Sequence, residues 1–252
     1  MEIKNITNEA YKVGLDRLFF AWDSRKQKDR TGLHASSIID VDSFCFREHI
    51  LRHHYKPKKS TSWARLLRIF LQGWYIHMKW QYLFEFGGIS LAVEKAHFYK
   101  FWNFYFTPDA IINMFGKNCV VEIKSHTING FNELKKPPAN AVRQAQIYMH
   151  FTGIPYGLIL VENKNNQEYK VWLIEYDWTI VKPFVERLVL LKKLFLIYKK
   201  EGRLPKKCEK CDFGGLGCSR VRNCNMSHIC FGKKEENEAY KREEIFHESI
   251  GH

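Results

Sequence analysis

Between Trp63 and Phe86 apolar and aromatic side chains return every three or four residues, through Leu66, Leu67, Phe70, Trp74, Met78, Tyr82 and Leu83. That period lines one face of a helix, so a long amphipathic helix is predicted here. After Gly87-Gly88 the period changes. Ile89 to Val93, Phe98 to Phe106, Asp109 to Met114 and Cys119 to Ile123 are short, β-branched and alternating, with Gly116-Lys117-Asn118 as a turn, and antiparallel strands are predicted. Pro137-Pro138 precedes a helical stretch from Ala141 to Phe151, which Gly153-Ile154-Pro155 ends. Gly157 to Glu162 and Tyr169 to Tyr176 read as strands on either side of the polar turn Asn163-Lys164-Asn165-Asn166. Trp178 to Lys200 is again amphipathic, through Val181, Phe184, Leu188, Leu191, Phe195 and Tyr198. The order is helix, sheet, helix, strands, helix.

The N-terminal residues 1 to 35 carry mixed charge, and a short helix is expected there before the mobile basic loop Ser24-Arg25-Lys26-Gln27-Lys28-Asp29-Arg30. Ser36 or Ser37 is placed to cap a helix running through Cys45 to about His54. Four regions are expected: an N-terminal helical region over 1–62, a core over 63–200, a Cys-rich segment over 201–232 and a charged tail over 233–252. That tail is a solvated helix or disordered.

Composition narrows the class. The chain has 252 residues, 45% apolar and 15% aromatic, enough to bury a substantial core. No stretch approaches the roughly 20 apolar residues of a membrane span, so no membrane partner is expected. The N-terminus MEIKNITNEAYKVGLD lacks both a long apolar core and a small-residue cleavage site, and a cytoplasmic setting with reduced thiols is expected. The formal charge of +13 favours a polyanionic partner, with nucleic acid the leading candidate.

Candidate chemistry lies in Thr107-Pro108-Asp109 and Val120-Val121-Glu122-Ile123-Lys124-Ser125. On a strand, residues two apart face the same side, so Glu122 and Lys124 project together while Ile123 faces the core. A hairpin would bring Asp109 beside them. Two carboxylates at a polar sheet end suit Mg²⁺ or Mn²⁺, and a nearby lysine can stabilise charge or orient an attacking water. A Glu and Lys two apart are also common as a surface ion pair. The neighbouring motifs change the balance.

Pro108-Asp109, Glu122-Ile123-Lys124 and Gln144-x-x-x-Tyr148 follow one another in an order that resembles the RecB-like branch of the PD-(D/E)XK nucleases, and Gly73-x-x-x-His77 upstream fits the same branch. The resemblance implies a restriction-endonuclease-like α/β core, a central mixed β-sheet flanked by helices. It implies divalent metal bound by His77, Asp109, Glu122 and the Ile123 carbonyl, with Lys124 catalytic and Gln144 and Tyr148 supporting the site and DNA. Taken singly, His77 reads as a packed helix-face histidine and Tyr148 as a core aromatic.

Cys208, Cys211, Cys218, Cys224 and Cys230 lie within 23 residues, among Gly and basic residues. Such thiolates select zinc or an iron–sulfur cluster, and spacing alone leaves both open. The resemblance extends to the iron–sulfur-containing subset, with the CRISPR-adaptation exonucleases and AddB nuclease domains, in which a [4Fe–4S] cluster takes one Cys from an N-terminal helix and three from the C-terminus. It implies Cys45, Cys208, Cys224 and Cys230 as ligands, with Cys211 and Cys218 as alternates. The usual C-x2-C-x5-C spacing is not met, since Cys211 to Cys218 has one residue more. Cys119, in a strand beside Val120, reads as an ordinary buried thiol.

The expected activity is a metal-dependent DNA nuclease, preferably an exonuclease on single-stranded DNA or DNA ends, in recombination, repair or phage DNA processing. Trp63, Trp74, Tyr75, Phe101 and Trp102 are candidates to stack on unpaired bases, although most such residues belong to cores. The alternatives are a structure-specific or restriction-like endonuclease, and a nucleic-acid-binding zinc protein with an inactive nuclease core. A bacterial, archaeal or phage-infected cell, a helicase or recombination partner and a homo-oligomer are compatible with the resemblance.

Overall fold

The computed structural model describes residues 12–13, 15–18, 33–39, 44–57, 64–207, 211, 221 and 224–232. The basic stretch 24–30, Trp63, Cys208, Cys218 and the tail 233–252 lie outside the described residues. In chain order the elements are β1 (Leu33–His34), α1 (Ala35–Ile38), α2 (Phe46–His54), α3 (Ala64–Phe86), β2 (Ser90–Val93), β3 (His97–Tyr99), a 3₁₀ turn (Lys100–Trp102) and β4 (Phe104–Phe106). They continue with β5 (Ala110–Met114), β6 (Lys117–His126), α4 (Ile128–Asn132), α5 (Ala139–Thr152), β7 (Tyr156–Asn163), β8 (Tyr169–Glu175), α6 (Trp178–Glu201) and α7 (Ser227–Phe231). No described helix is long and apolar enough to cross a membrane.

The chain separates into two compact units, each assembled from discontinuous stretches. The first draws on Met1–Asp29, Thr61–Lys95 and Thr107–Tyr176; the second on Arg30–Ser60, Ala96–Phe106 and Asp177–His252. The first unit holds a five-stranded mixed sheet in the order β2-β5-β6-β7-β8. Only the β6–β7 pair is parallel, and this pair forms the centre. Its two strands carry near-continuous apolar runs because they are covered on both faces. On one face Ile76 and Phe84 of α3 pack with Ala110, Ile112, Cys119, Val121, Ile123 and Leu160. On the other, Ala141 and Ala145 of α5 and Phe131 of α4 pack with Ile159 and Val161. Each large aliphatic side chain so buried stabilises the fold by about 1.5–3 kcal/mol relative to exposure.

The approach of α5 to the sheet is close at Gly157. A Cβ there would stand 2.8 Å from the Met149 sulfur and 3.0 Å from Cγ1 of Ile174. Any larger residue here would force these two side chains to shift.

The β5–β6 hairpin fixes the site. The predicted turn over Gly116-Lys117-Asn118 lies instead at Phe115-Gly116, both at positive φ (53° and 75°), while Lys117 and Asn118 already belong to β6. Two residues at positive φ form the tight turn that matches strand twist. Pairing therefore runs from Met114↔Lys117 to Ala110↔Val121, and one further step sets Asp109 opposite Glu122.

In the second unit β1-β4-β3 form a small sheet. The single strand expected from Phe98 to Phe106 is broken at Asn103, whose left-handed φ of 46° ends the 3₁₀ turn. The single helix expected from Ser36 through Cys45 is also divided, into α1 and α2, and Cys45 is the extended N-cap of α2. Leu51 of α2 packs with Met226 and Ile229 of the C-terminal segment, and Arg47 donates to the Pro205 carbonyl at 2.8 Å. At the start of α6, Asp177 accepts the Thr179 N–H at 2.8 Å, a side-chain cap on the first turn.

Candidate active site

Strand alternation divides β6 as expected: Ile123 is fully buried toward α3, whereas Glu122 and Lys124 point to the α5 face. The Lys124 ammonium contacts one oxygen of Glu122. Glu122 is only 1% exposed, and its second oxygen, Oε2, is buried without a hydrogen-bond partner. A buried carboxylate left half satisfied costs on the order of 1–3 kcal/mol. Burial, and then the nearby Asp109 carboxylate, push the Glu122 acid up to about 8 against the opposing pull of Lys124.

Asp109 precedes β5 and divides its carboxylate between two elements. Oδ2 accepts the Ile123 N–H at 2.7 Å, and Oδ1 lies 3.1 Å from Nδ1 of His77 on α3. Each oxygen keeps a second lone pair. From α5, Gln144 Nε2 donates to the Tyr148 hydroxyl at 2.5 Å. Burial, followed by the Glu122 and Asp109 carboxylates, raises the Tyr148 pKa further above its ordinary value against the Gln144 hydrogen bond, so the phenol stays neutral. His77, Asp109 and Ile123 are thus linked by polar contacts, Glu122 and Lys124 by an ion pair, and Gln144 and Tyr148 by a hydrogen bond within α5.

Among the described residues no three His, Cys, Asp or Glu side chains already form a metal cage. A magnesium-type site needs less, since one or two carboxylates suffice when water and substrate phosphate complete the octahedron. The orphaned Glu122 oxygen and the lone pairs of Asp109 and the Ile123 carbonyl are hard donors of that kind, and the residues present fit such an ion.

The sequence reading missed the supports. Gln81 Nε2 donates to the Asp109 carbonyl oxygen at 3.0 Å. Glu162, 1% exposed, receives Lys79 at 2.7 Å and the Trp80 indole N–H at 2.6 Å. A polar residue at the end of an apolar strand, and a Gln one helical turn after His77, were the available signals.

In the second unit the described cysteines expected as cluster ligands, Cys45, Cys224 and Cys230, with the alternate Cys211, form no group of three placed to hold a metal. Burial first, then the Glu48 carboxylate and the Cys45 and Cys230 thiols, push the Cys224 thiol up to about 12. Cys119 is buried, its thiol directed at the Lys117 carbonyl at 3.8 Å, as expected of an ordinary core cysteine. Of the aromatic residues considered for base stacking, Tyr75 and Phe101 are exposed.

No protein-family model and no curated protein matches the sequence. Among the solved structures that share the fold are two of the same enzyme. One is an alkaline exonuclease, LHK-Exo, from Laribacter hongkongensis, 17% identical, covering 74% of this chain and 97% of its own, with a TM-score of 0.51. The other is LHK-Exo in complex with dAMP, 18% identical, covering 69% and 94%, also with a TM-score of 0.51. The mixed sheet flanked by helices is consistent with the PD-(D/E)XK-like core expected from the order of the motifs.

Proposed function

We propose that the chain is a divalent-metal-dependent DNA nuclease that acts as an exonuclease on single-stranded DNA or DNA ends. The carrying observation is the buried Glu122 carboxylate, with one oxygen on Lys124 and the other unpaired, opposite Asp109 on a hairpin of nuclease-like fold. The alkaline exonuclease of the same fold, crystallised with dAMP, supports a nucleotide product of DNA cleavage.

In this reading Asp109, Glu122 and the Ile123 carbonyl hold Mg²⁺ or Mn²⁺, with His77 orienting Asp109 or joining the ligands. The ion, when bound, supplies Lewis acidity toward the phosphate and lowers the pKa of water. The chain's own groups do the remainder. Lys124 partly offsets the cost of ionising Glu122 by offering a counter-charge, and its ammonium is placed to balance charge developing on the phosphate. Gln144 fixes the Tyr148 hydroxyl, a neutral polar group beside the two acids. Gln81 holds the backbone at Asp109, while the Ile123 N–H and His77 hold its carboxylate in one rotamer.

The cysteines belong to a second proposed centre, a structural [4Fe–4S] cluster on Cys45, Cys208, Cys224 and Cys230. Cys224 and Cys230 pack against the apolar cluster that holds Leu51 of α2, the helix that Cys45 caps, and soft thiolates suit iron or zinc.

The test is digestion of end-labelled linear and circular DNA, single- and double-stranded, with Mg²⁺, Mn²⁺ or chelator. Metal-dependent release of nucleotides from linear substrate alone supports the proposal. Cleavage of circles points to an endonuclease, and no cleavage under any metal removes the nuclease reading.

A further inference from the structure

The 3₁₀ turn Lys100–Trp102 and the last three turns of α6 line an open groove in the second unit that the catalytic reading does not use. Phe101 is 65% exposed and Leu196 56%, unusual for large apolar side chains grouped on one surface. Lys192 lies over both rings of the groove, 2.8 Å from the Phe101 centroid and 5.6 Å from that of Trp102. Lys193 and Lys200 line the same groove. Glu201, the acid of the lining, is neutralised by Arg203 at 3.0 Å.

Residues 192, 196 and 200 recur at helical spacing and so share a face. Eight residues of helix rise about 12 Å, which lets Lys192 and Lys200 meet phosphates roughly two steps apart on one strand. Aromatic rings beside a row of ammonium groups form the surface that unpaired bases and their backbone recognise, stacking below and charge at the rim. A duplex, with its bases already stacked, offers the rings nothing.

We propose that this groove is an auxiliary site for single-stranded DNA, with a base on the exposed ring of Phe101, which Trp102 supports edge-on, and the phosphates on Lys192, Lys193 and Lys200. The identity of the polymer rests on the nuclease reading above, while binding at the groove does not require cleavage.

Fluorescence anisotropy of a labelled oligothymidylate with the full chain in chelator tests it, because no turnover occurs there. Lys192→Glu/Lys193→Glu/Lys200→Glu is expected to weaken binding at least about tenfold and to reduce the salt slope by roughly one for each phosphate that no longer meets a lysine. Phe101→Ala/Trp102→Ala is expected to weaken it about tenfold with the salt slope unchanged, since stacking releases no counterions. The milder Lys193→Gln/Lys200→Gln, at two exposed positions, gives the same direction if the triple variant fails to fold. Unchanged affinity and slope in folded Lys variants, or preference for phosphatidylserine vesicles over the oligonucleotide, would overturn the proposal. Groove-dependent binding in a chain that never cleaves keeps this inference and removes the nuclease reading. Cleavage with groove-independent binding does the reverse.

Discussion

The Lys124 ammonium closes on one carboxylate oxygen of Glu122 and leaves the other oxygen buried and unpaired. A surface ion pair would be solvated on both sides and worth little. Here one partner is sunk into the sheet face beneath α5, and the unpaired oxygen lies near a second carboxylate that makes ionisation harder. Such an arrangement is unfavourable by itself, and the proposed cation would offset that cost.

Asp109→Asn, Glu122→Gln and Lys124→Ala are each expected to lower the cleavage rate by at least about a hundredfold. Far-UV circular dichroism should be unchanged, since none of the three fills the apolar core. In metal-free protein Glu122→Gln should be as stable as the parent or more so, because a neutral amide replaces a carboxyl that is costly to charge when buried. Parental activity in the Glu122 variant would remove the site assignment.

The pH dependence follows from the same carboxyl. Its folded value is about 8 against an ordinary 4.5. Between those values the folded state holds a proton that the unfolded chain has lost, so the stabilising contribution is full below 4.5 and declines as pH rises to about 8. Metal needs the ionised form, so affinity should climb by up to about tenfold per pH unit until pH ~8 and then level off. Thermal melts of metal-free parent and Glu122→Gln, with Mn²⁺ titrations at the same pH values, check both signs. A parental stability profile parallel to that of the glutamine variant would contradict them.

His77→Ala separates two roles. If the imidazole serves the ion, directly or by orienting Asp109, the variant should need several-fold more Mn²⁺ for half-maximal cleavage while melting near the parental temperature. A melting loss with no change in metal requirement would return His77 to ordinary helix packing.

For the cysteines, anaerobically purified protein should be brown and carry about four iron atoms per chain, as a [4Fe–4S] cluster requires. Cys45→Ala should lose the iron. Stoichiometric zinc in colourless protein, or full iron in the Cys45 variant, would each contradict the ligand set.

Gly157→Ala places a methyl group against Met149 and Ile174, both within 3.0 Å. Overpacking of this kind costs about 1–3 kcal/mol, visible as a lowered denaturation midpoint. Activity per folded molecule should survive unless the shift of α5 displaces Gln144 and Tyr148.

The sequence by itself determined what local periodicity and side-chain chemistry can encode. The long helix ending at Phe86, the strands around Glu122, the helix carrying Gln144 and Tyr148, and the helix after Asp177 all announced themselves through spacing. Strand alternation alone put Glu122 and Lys124 together and Ile123 inside. Tertiary structure decided the register. A turn at Gly116-Lys117-Asn118 with Phe115 facing Cys119 would have set Asp109 opposite Ser125; the positive φ of Phe115 and Gly116 sets it opposite Glu122. Only packing could show that α3 brings His77 to Asp109 and Lys79 and Trp80 to Glu162, because those pairs are distant in sequence and no period connects them. The break between α1 and α2, which makes Cys45 an N-cap, was equally illegible. Local propensity there allows one continuous helix, and where such a chain bends is settled by what it packs against.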